Sequence, residues 1–201
     1  RTDERLRIMN ILVTGAKGMV GTALCNNLRN IRDGKNRTRP GIYVEEIFEY
    51  DLDSTEAELD EYCRRADFVF NLAGVNRPKD QTEFMEGNFG FASELLDALR
   101  SHGNTAPVML ASSIQAYRFP NLFGKWCRPN YNSAVATFCH NMANGLPIHV
   151  NDPSTELELL YIDDLVNELL DALEGHEHRC GFDGVTTIFK EQGAYCAAPV
   201  S

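Results

Sequence analysis

The chain is short of basic charge, with 19 lysines and arginines against 29 acidic residues and a formal net charge of −10. Nucleic acid binding needs a basic face, so nucleic acid is excluded as the main partner. A nucleotide ligand, which needs only local positive potential, is not excluded. No apolar run approaches the roughly 20 residues that span a bilayer, and no signal-peptide pattern opens the sequence. No membrane segment is therefore expected, and the expected location is cytoplasmic. The six cysteines, Cys25, Cys63, Cys127, Cys139, Cys180 and Cys196, never fall at C-x-x-C spacing. They read as small buried apolar residues rather than disulfides or ligands. His176, His178 and Cys180 lie close together, but Glu174, Glu177 and Arg179 surround them, which reads as a solvated loop and not a metal site. Repeats and low-complexity tracts are lacking too. The 201 residues, 43% hydrophobic and 24% charged, suffice for one substantial core, or one domain and part of a second.

The segment that is most specific is Gly15-Ala16-Lys17-Gly18-Met19-Val20-Gly21. It follows the apolar run Ile11-Leu12-Val13 and opens a helical pattern from Met19 to Arg29. A strand turning on glycines into a helix gathers free N–H groups and the positive dipole end at one point, which suits a phosphate. Gly15 permits the tight turn, Gly18 lets the backbone approach a pyrophosphate, and Gly21 lets helix and strand pack closely.

Beyond this loop the pattern alternates. Strands are predicted at Asn10–Thr14, Val44–Tyr50, Phe68–Leu72, Val108–Ala111 and Tyr117–Leu122. Between and after them come helical patterns: Glu56–Arg65 (Leu59, Tyr62 and Cys63 on one face), Glu86–Arg100 (Phe91, Leu95, Leu96, Leu99), Ser133–Asn144 (Val135, Phe138, Cys139, Met142) and Asp163–Glu174 (Val166, Leu169, Leu170, Leu173). Asp163 or Asp164 is the expected cap of the last helix. Asp33–Pro40 reads as a surface loop. Such alternation predicts an α/β fold with a doubly wound parallel sheet. One join is awkward. About five residues separate Val108–Ala111 from Tyr117–Leu122, whereas parallel neighbours need a crossover of a dozen or more. Ser112-Ser113-Ile114-Gln115-Ala116 also lacks the Gly or Asn of a tight hairpin. Either one strand assignment fails or a crossover segment is missing, and the second reading is preferred.

Several motifs in sequence order carry a resemblance. After the glycine loop come Asn71-Leu72-Ala73-Gly74, Asn88, Ser112-Ser113, Arg118-Phe119-Pro120-Asn121-Leu122-Phe123-Gly124 and Tyr161-Ile162-Asp163-Asp164. Together they resemble the extended short-chain dehydrogenase/reductases that act on nucleotide sugars. Gly74-Val75-Asn76-Arg77-Pro78 and Pro120 to Cys127 are similar to the capsular-polysaccharide reductases of a UDP-linked 4-keto deoxy-N-acetylhexosamine. The resemblance implies a Rossmann-like domain over 9–124 and a partial substrate-binding portion over 125–201. It implies Ser113 as the catalytic serine. Gly15, Lys17, Gly18, Met19, Val20, Gly21, Asp51, Leu52, Leu72, Ala73, Gly74, Ser112 and Asn121 would lie along the cofactor. Asn76, Arg77, Asn130, Asn132 and Ser133 would lie along the UDP-sugar. Arg77 and Lys125 are candidate diphosphate contacts. A homodimer is implied as well, and NADPH is favoured over NADH. Lys17, Arg37 or Arg39 could meet a 2′-phosphate, whereas Asp51 or Asp53 could meet a 2′-hydroxyl.

The family's chemistry also needs a tyrosine with a lysine four residues on, the lysine lowering the phenol's pKa. None of Tyr43, Tyr50, Tyr62, Tyr117, Tyr131, Tyr161 and Tyr195 has one. In the family that pair falls between the Ser-Ser strand and the Arg-x-x-Asn segment, so both lines of reasoning place a missing segment at the Ala116–Tyr117 junction. The expected function is a reductase of a UDP-linked 4-keto sugar. The alternatives are a UDP-sugar epimerase or dehydratase, or a catalytically inactive nucleotide-binding remnant.

Overall fold

In the computed structural model the residues described are 8–74, 90–110, 121–131, 133–157, 159–176, 181–182 and 187–188. The chain divides into two compact units, Arg1–Ala111 with Leu173–His176, and Ser112–Ala172 with Glu177–Ser201.

The first unit is built on four parallel strands: β1 (Ile8–Thr14), β2 (Tyr43–Tyr50), β3 (Phe68–Asn71) and β4 (Val108–Leu110), in the order β2-β1-β3-β4. Ile11, Leu12 and Val13 are fully buried, which a central strand covered on both faces requires. Helix α1 (Met19–Arg32) makes the crossover from β1 to β2, and α2 (Glu56–Arg65) carries the chain back past β1 to β3. Helix α3 (Phe91–Ser101) precedes β4. Because successive crossovers run in opposite directions and each is right-handed, α1 covers one face and α2 and α3 the other. On the latter face Leu12, Phe48, Val69, Leu59, Cys63, Leu95 and Leu99 form one core cluster. The Phe48 and Tyr62 rings stack at 4.8 Å, and the Arg65 guanidinium lies 4.9 Å above Phe48.

Local chemistry fixes the helix ends. Thr55 and Glu58 form a capping box at the start of α2. Beyond its far end, the Asn104 side-chain amide donates to the Cys63 and Ala66 carbonyls at 2.7 and 2.8 Å.

The second unit holds β5 (Asn121–Phe123), α4 (Ala134–Ala143), β6 (Leu159–Tyr161), most of α5 (Ile162–Leu173), β7 (Gly181–Phe182) and β8 (Thr187–Ile188). β5 pairs in parallel with β6, and β7 pairs antiparallel with β8. Among the described residues, no helix is long and apolar enough to cross a membrane.

Several expectations are corrected. The fifth strand does not extend the main sheet: β5 pairs with β6. Only residues 111–120 join β4 to β5, too few for the helical crossover a parallel neighbour needs. Leu96 is 37% exposed because α3 turns the Phe91, Leu95, Leu99 row toward the sheet, which leaves Leu96 one step around the helix. No side chain of α4 is fully buried, and its expected core residues Cys139 and Met142 are exposed. Apolar spacing predicts burial only where another element covers the stripe, and no described residue covers these two. Asp163 and Asp164 lie within the first turn of α5 rather than at its cap. Cys25 and Cys63 are buried as expected, Cys127 is half-buried, and Cys180 and Cys196 lie outside the described residues.

Candidate dinucleotide site

The order β2-β1-β3-β4 places a switch point between β1 and β3, where successive crossovers leave in opposite directions. Ligands of open parallel sheets sit at such points, beyond the strands' carboxyl ends. Residues 15–21 and 72–74 leave the sheet there.

Gly15 has φ +66°, and a Cβ on it would lie 2.9 Å from the Leu72 carbonyl and the Ala73 nitrogen. Both the turn and the close approach of the two loops therefore demand glycine. A Cβ on Gly21 would stand 2.2 Å from the Gly15 carbonyl oxygen and 2.7 Å from the Ala16 Cα, so α1 packs directly on the loop. The Gly18 N–H donates to the Gly15 carbonyl at 3.0 Å. Gly18 is the N-cap of α1, without a side-chain cap, and the first turn holds no acidic residue. No acidic side chain of α1 itself offsets the positive end of its dipole, which lies in a cradle that side chains would fill. These residues fit a dinucleotide's pyrophosphate.

Thr14 ties the two loops together. It is fully buried and paired in register with Asn71. Its hydroxyl donates to the Asn71 amide oxygen at 2.6 Å and accepts from the Ala73 N–H at 3.3 Å. The Leu72 N–H donates to the Thr14 carbonyl. Sequence reasoning passed over Thr14. The available signal was its place beside Asn71 once β1 and β3 are taken as neighbours.

The end of β2 closes the site from the other side. Asp51 Oδ2 accepts the Lys17 N–H at 2.7 Å and Oδ1 accepts the Leu52 N–H at 2.8 Å. The Lys17 ammonium pairs with Asp53 at the exposed surface. That bond raises the lysine's pKa and lowers the carboxyl's. Leu52 is fully exposed beside this loop. One unit therefore brings together Gly15, Lys17, Gly18, Met19, Val20, Gly21, Asp51, Leu52, Leu72, Ala73 and Gly74.

The remaining candidates belong to the second unit or lie outside the described residues. Asn121, at the start of β5, and Asn130 are exposed in the second unit. Asn130 has φ +56°, which asparagine tolerates, and its N–H donates to Thr137 Oγ1 at 2.9 Å. Ser133 is buried and caps α4, its hydroxyl accepting the Ala136 N–H at 3.3 Å. A Cβ on Gly124 (φ +124°) would meet Ile162 and Tyr161 within 3 Å, so this turn too requires glycine. Asn76, Arg77, Asn88, Ser112, Ser113, Arg118 and Asn132 lie outside the described residues. The phenols of Tyr50 and Tyr62 are pushed up, chiefly by burial, and that of Tyr161 chiefly by its hydrogen bond to Asp163. A proton donor primed by a neighbouring lysine would shift the other way.

Fold and loop geometry together define a dinucleotide-binding α/β protein. The chain belongs to the NAD dependent epimerase/dehydratase family, whose profile matches residues 11–118. It is 40% identical over 197 residues to the UDP-2-acetamido-2,6-beta-L-arabino-hexul-4-ose reductase of Pseudomonas aeruginosa, a match covering 83% of this chain and 50% of the reductase. Since 83% of 201 residues is about 167, about 30 aligned positions of that match face no residue of this chain. Among solved structures, the capsular polysaccharide assembling protein CapF from Staphylococcus aureus superimposes with a TM-score of 0.70 at 36% identity, over 94% of this chain and 55% of CapF. CapF with the inhibitor 3-isopropenyl-tropolone gives 0.69 at 35% identity, over 94% and 52%. The UDP-glucuronic acid 4-epimerase from Bacillus cereus in complex with NAD, at 19% identity, 83% and 74% coverage and a TM-score of 0.61, shares the fold. The chain spans about half the length of the reductase and of CapF.

Proposed function

We propose that this chain is the dinucleotide-binding portion of a reductase acting on a UDP-linked 4-keto sugar for surface-polysaccharide synthesis. The observation that carries this is the cradle of Gly15, Gly18 and Gly21, bound to the Leu72–Gly74 loop through Thr14, in a chain 40% identical to a 4-keto-sugar reductase. The loop N–H groups and the positive end of α1 hold the pyrophosphate. A nicotinamide dinucleotide, when bound, supplies hydride to the sugar's C4 carbonyl carbon. Ser113 is the residue proposed to polarise that carbonyl, and Asn76, Arg77, Asn130, Asn132 and Ser133 to hold the UDP-sugar. Ser133 keeps a hydroxyl proton to donate while it caps α4. A homodimeric state and a cytoplasmic location belong to the same reading.

The test supplies purified protein with reduced dinucleotide and a panel of UDP-4-keto-6-deoxy-N-acetylhexosamines, following loss of reduced nicotinamide and formation of the 4-hydroxy sugar. Coupled loss and formation supports the reductase. Interconversion without net dinucleotide consumption supports an epimerase. Dinucleotide binding without turnover of any sugar favours a second reading, a nucleotide-binding remnant. That reading is motivated by the missing Tyr-x-x-x-Lys pair and the roughly 30 unmatched positions.

A further inference from the structure

We propose a second ligand site in the first unit: a cleft at the amino-terminal ends of β1 and β2 that takes a compact amphipathic anion, an alkyl or aryl body carrying one phosphate or carboxylate head. The dinucleotide loop leaves the opposite ends of these strands, about 25 Å away along the eight residues of β2. The site is therefore separate from the one described above and does not depend on the reading given to it.

The cleft has a volume of about 440 Å³. Its floor is apolar and recessed: Ile31, Ile42 and Val44 line it and are 8%, 4% and 8% exposed. Arg32, Arg37 and Arg39 form its walls. The loop that carries these arginines is held in shape by its own hydrogen bonds. The Lys35 and Asn36 N–H groups both donate to the Asn30 carbonyl, at 2.8 and 2.9 Å. The Thr38 N–H and hydroxyl both donate to Asn36 Oδ1, at 3.0 and 2.7 Å. Arg39 pairs with Glu174 at 2.9 Å, the two side chains 16% and 18% exposed. An apolar floor with a few fixed polar groups, in a cleft of this size, is the usual make-up of a small-molecule site.

Charge selects the head group. The chain carries −10 overall, yet here Arg32, Lys35, Arg37 and Arg39 meet only Asp33 and Glu174, which leaves a local charge of +2. Asp33 is shared between Arg32 and Lys35. Arg37 has no carboxylate partner among the described residues. Its Nε donates to the Gly34 carbonyl at 3.2 Å, which leaves the terminal N–H groups of its fork for an anion. Such a fork matches phosphate or carboxylate oxygens in a bidentate pair.

Shape and surroundings select the body. A flat bilayer would not reach a floor recessed below arginine walls. An extended acidic peptide would have to run along β2, the edge strand of the sheet, where Glu45, Glu46 and Glu49 repel it. A compact ligand confined to the cleft meets the arginines and the floor without meeting that fence.

The test is calorimetric titration of the full chain with octyl phosphate and with octanoate, both below their micellar concentrations. Each should bind with one site per chain, and octyl phosphate at least about 30-fold more tightly than inorganic phosphate, because the chain buries apolar surface on the floor. Octylamine and octyl glucoside should bind at least about tenfold more weakly than the anions, the gap narrowing as salt screens the arginines. Arg37→Glu should weaken octyl phosphate by about tenfold, whereas Lys35→Glu, the same charge change outside the cleft wall, should weaken it by less than about threefold. Saturating NAD+ should leave the affinity for octyl phosphate unchanged. If Arg37→Glu loses its far-UV circular dichroism, the comparison of head groups on the wild type decides alone. Binding of neither anion, equal binding of octylamine or octyl glucoside, equal effects of the two variants, or competition by NAD+ each overturns the proposal. Co-sedimentation with phosphatidylglycerol vesicles without binding of the monomeric anions also overturns it, in favour of a bilayer contact.

Discussion

Replacing Gly21 with alanine tests whether the glycine loop is a packed device rather than a flexible turn. The added methyl carbon would stand 2.2 Å from the Gly15 carbonyl oxygen and 2.7 to 2.8 Å from the Ala16 Cα and carbonyl carbon, all backbone atoms. Ordinary contact begins near 3.4 Å, so α1 or the loop must move by about 1 Å. Overpacking costs about 1–3 kcal/mol, and immovable backbone puts this site at the upper end. Alanine returns up to about 1 kcal/mol of helix propensity, leaving a loss of about 2 kcal/mol. For a unit of this size that is a Tm decrease of about 8–10 °C. Gly90→Ala is the matched control. Gly90 is already helical (φ −58°, ψ −55°) and has nothing within 4 Å of its virtual Cβ. There the same substitution should raise stability by about 0.5–1 kcal/mol. Thermal melts followed by far-UV circular dichroism, paired with dinucleotide titrations, check both. Gly21→Ala should also weaken dinucleotide binding by tenfold or more, because the displaced N–H groups no longer converge. Melting temperatures within 2 °C of each other for the two variants would refute the close-packing account.

Further outcomes are expected elsewhere. Thr14→Val keeps shape but strips the hydroxyl from the buried Asn71 amide and Ala73 N–H, so unfolding titrations should show a loss of about 1–3 kcal/mol. Cys139 is exposed whereas Cys25 and Cys63 are buried with thiols pushed up to about 12 and about 11, so mass-mapped alkylation should label Cys139 in the native protein and the other two only on unfolding. Stability should fall at both pH extremes. Asp53, Glu58 and Glu61 have lowered pKa values through hydrogen bonds from Lys17, Thr55 and Arg64, so their contribution is present above the ordinary carboxylate range and lost as pH falls through the folded values. Cys25 and Cys63 act in the opposite sense, contributing below the ordinary thiol value of 9.0 and losing that contribution as pH rises toward 11 and 12. Melting temperatures across the pH range should show a plateau bounded by these two windows; a Tm still rising above pH 9 would contradict the buried-thiol assignment.

The sheet and cofactor loop were legible because their signals are local. Ile11-Leu12-Val13 before Gly15, and the Leu59 and Cys63 stripe on α2, each state period and punctuation within a few residues. The site's other constraints depend on which strands adjoin. Thr14 matters only because β1 lies in register with Asn71 of β3, and Lys17 is neutralised by Asp53, 36 residues on. The resemblance to the capsular reductases favours NADPH, while the pairing of Lys17 with Asp53 is visible only once the two loops are brought together. The apolar pattern of α4 misled in the reverse way. Val135, Phe138, Cys139 and Met142 share a face, but sharing a face does not supply a partner to cover it.

The Ala116–Tyr117 junction is where chemistry and comparison can be tested against a single peptide. Sheet geometry does not decide the join, because β5 pairs with β6 and not with β4, so residues 111–120 need carry no parallel crossover. Chemistry speaks against it, since the tyrosine and lysine that the family resemblance places between Ser113 and Arg118 are missing. Across the whole reductase match about 30 positions face no residue of this chain, a number close to the roughly 30 residues of a complete strand–helix–strand unit. A segment of that length could hold one helix with a tyrosine and a lysine on the same face four residues apart. Trypsin cuts after Arg100 and Arg118, so a chain that runs straight through the junction must yield the peptide Ser101–Arg118. If that peptide is missing and fragments containing Tyr-x-x-x-Lys connect Ala116 to Tyr117, the proton machinery is restored and reductase activity is expected. If Ser101–Arg118 is recovered intact, the chain binds its dinucleotide without a tyrosine placed to protonate the sugar, and the remnant reading takes precedence over the enzyme.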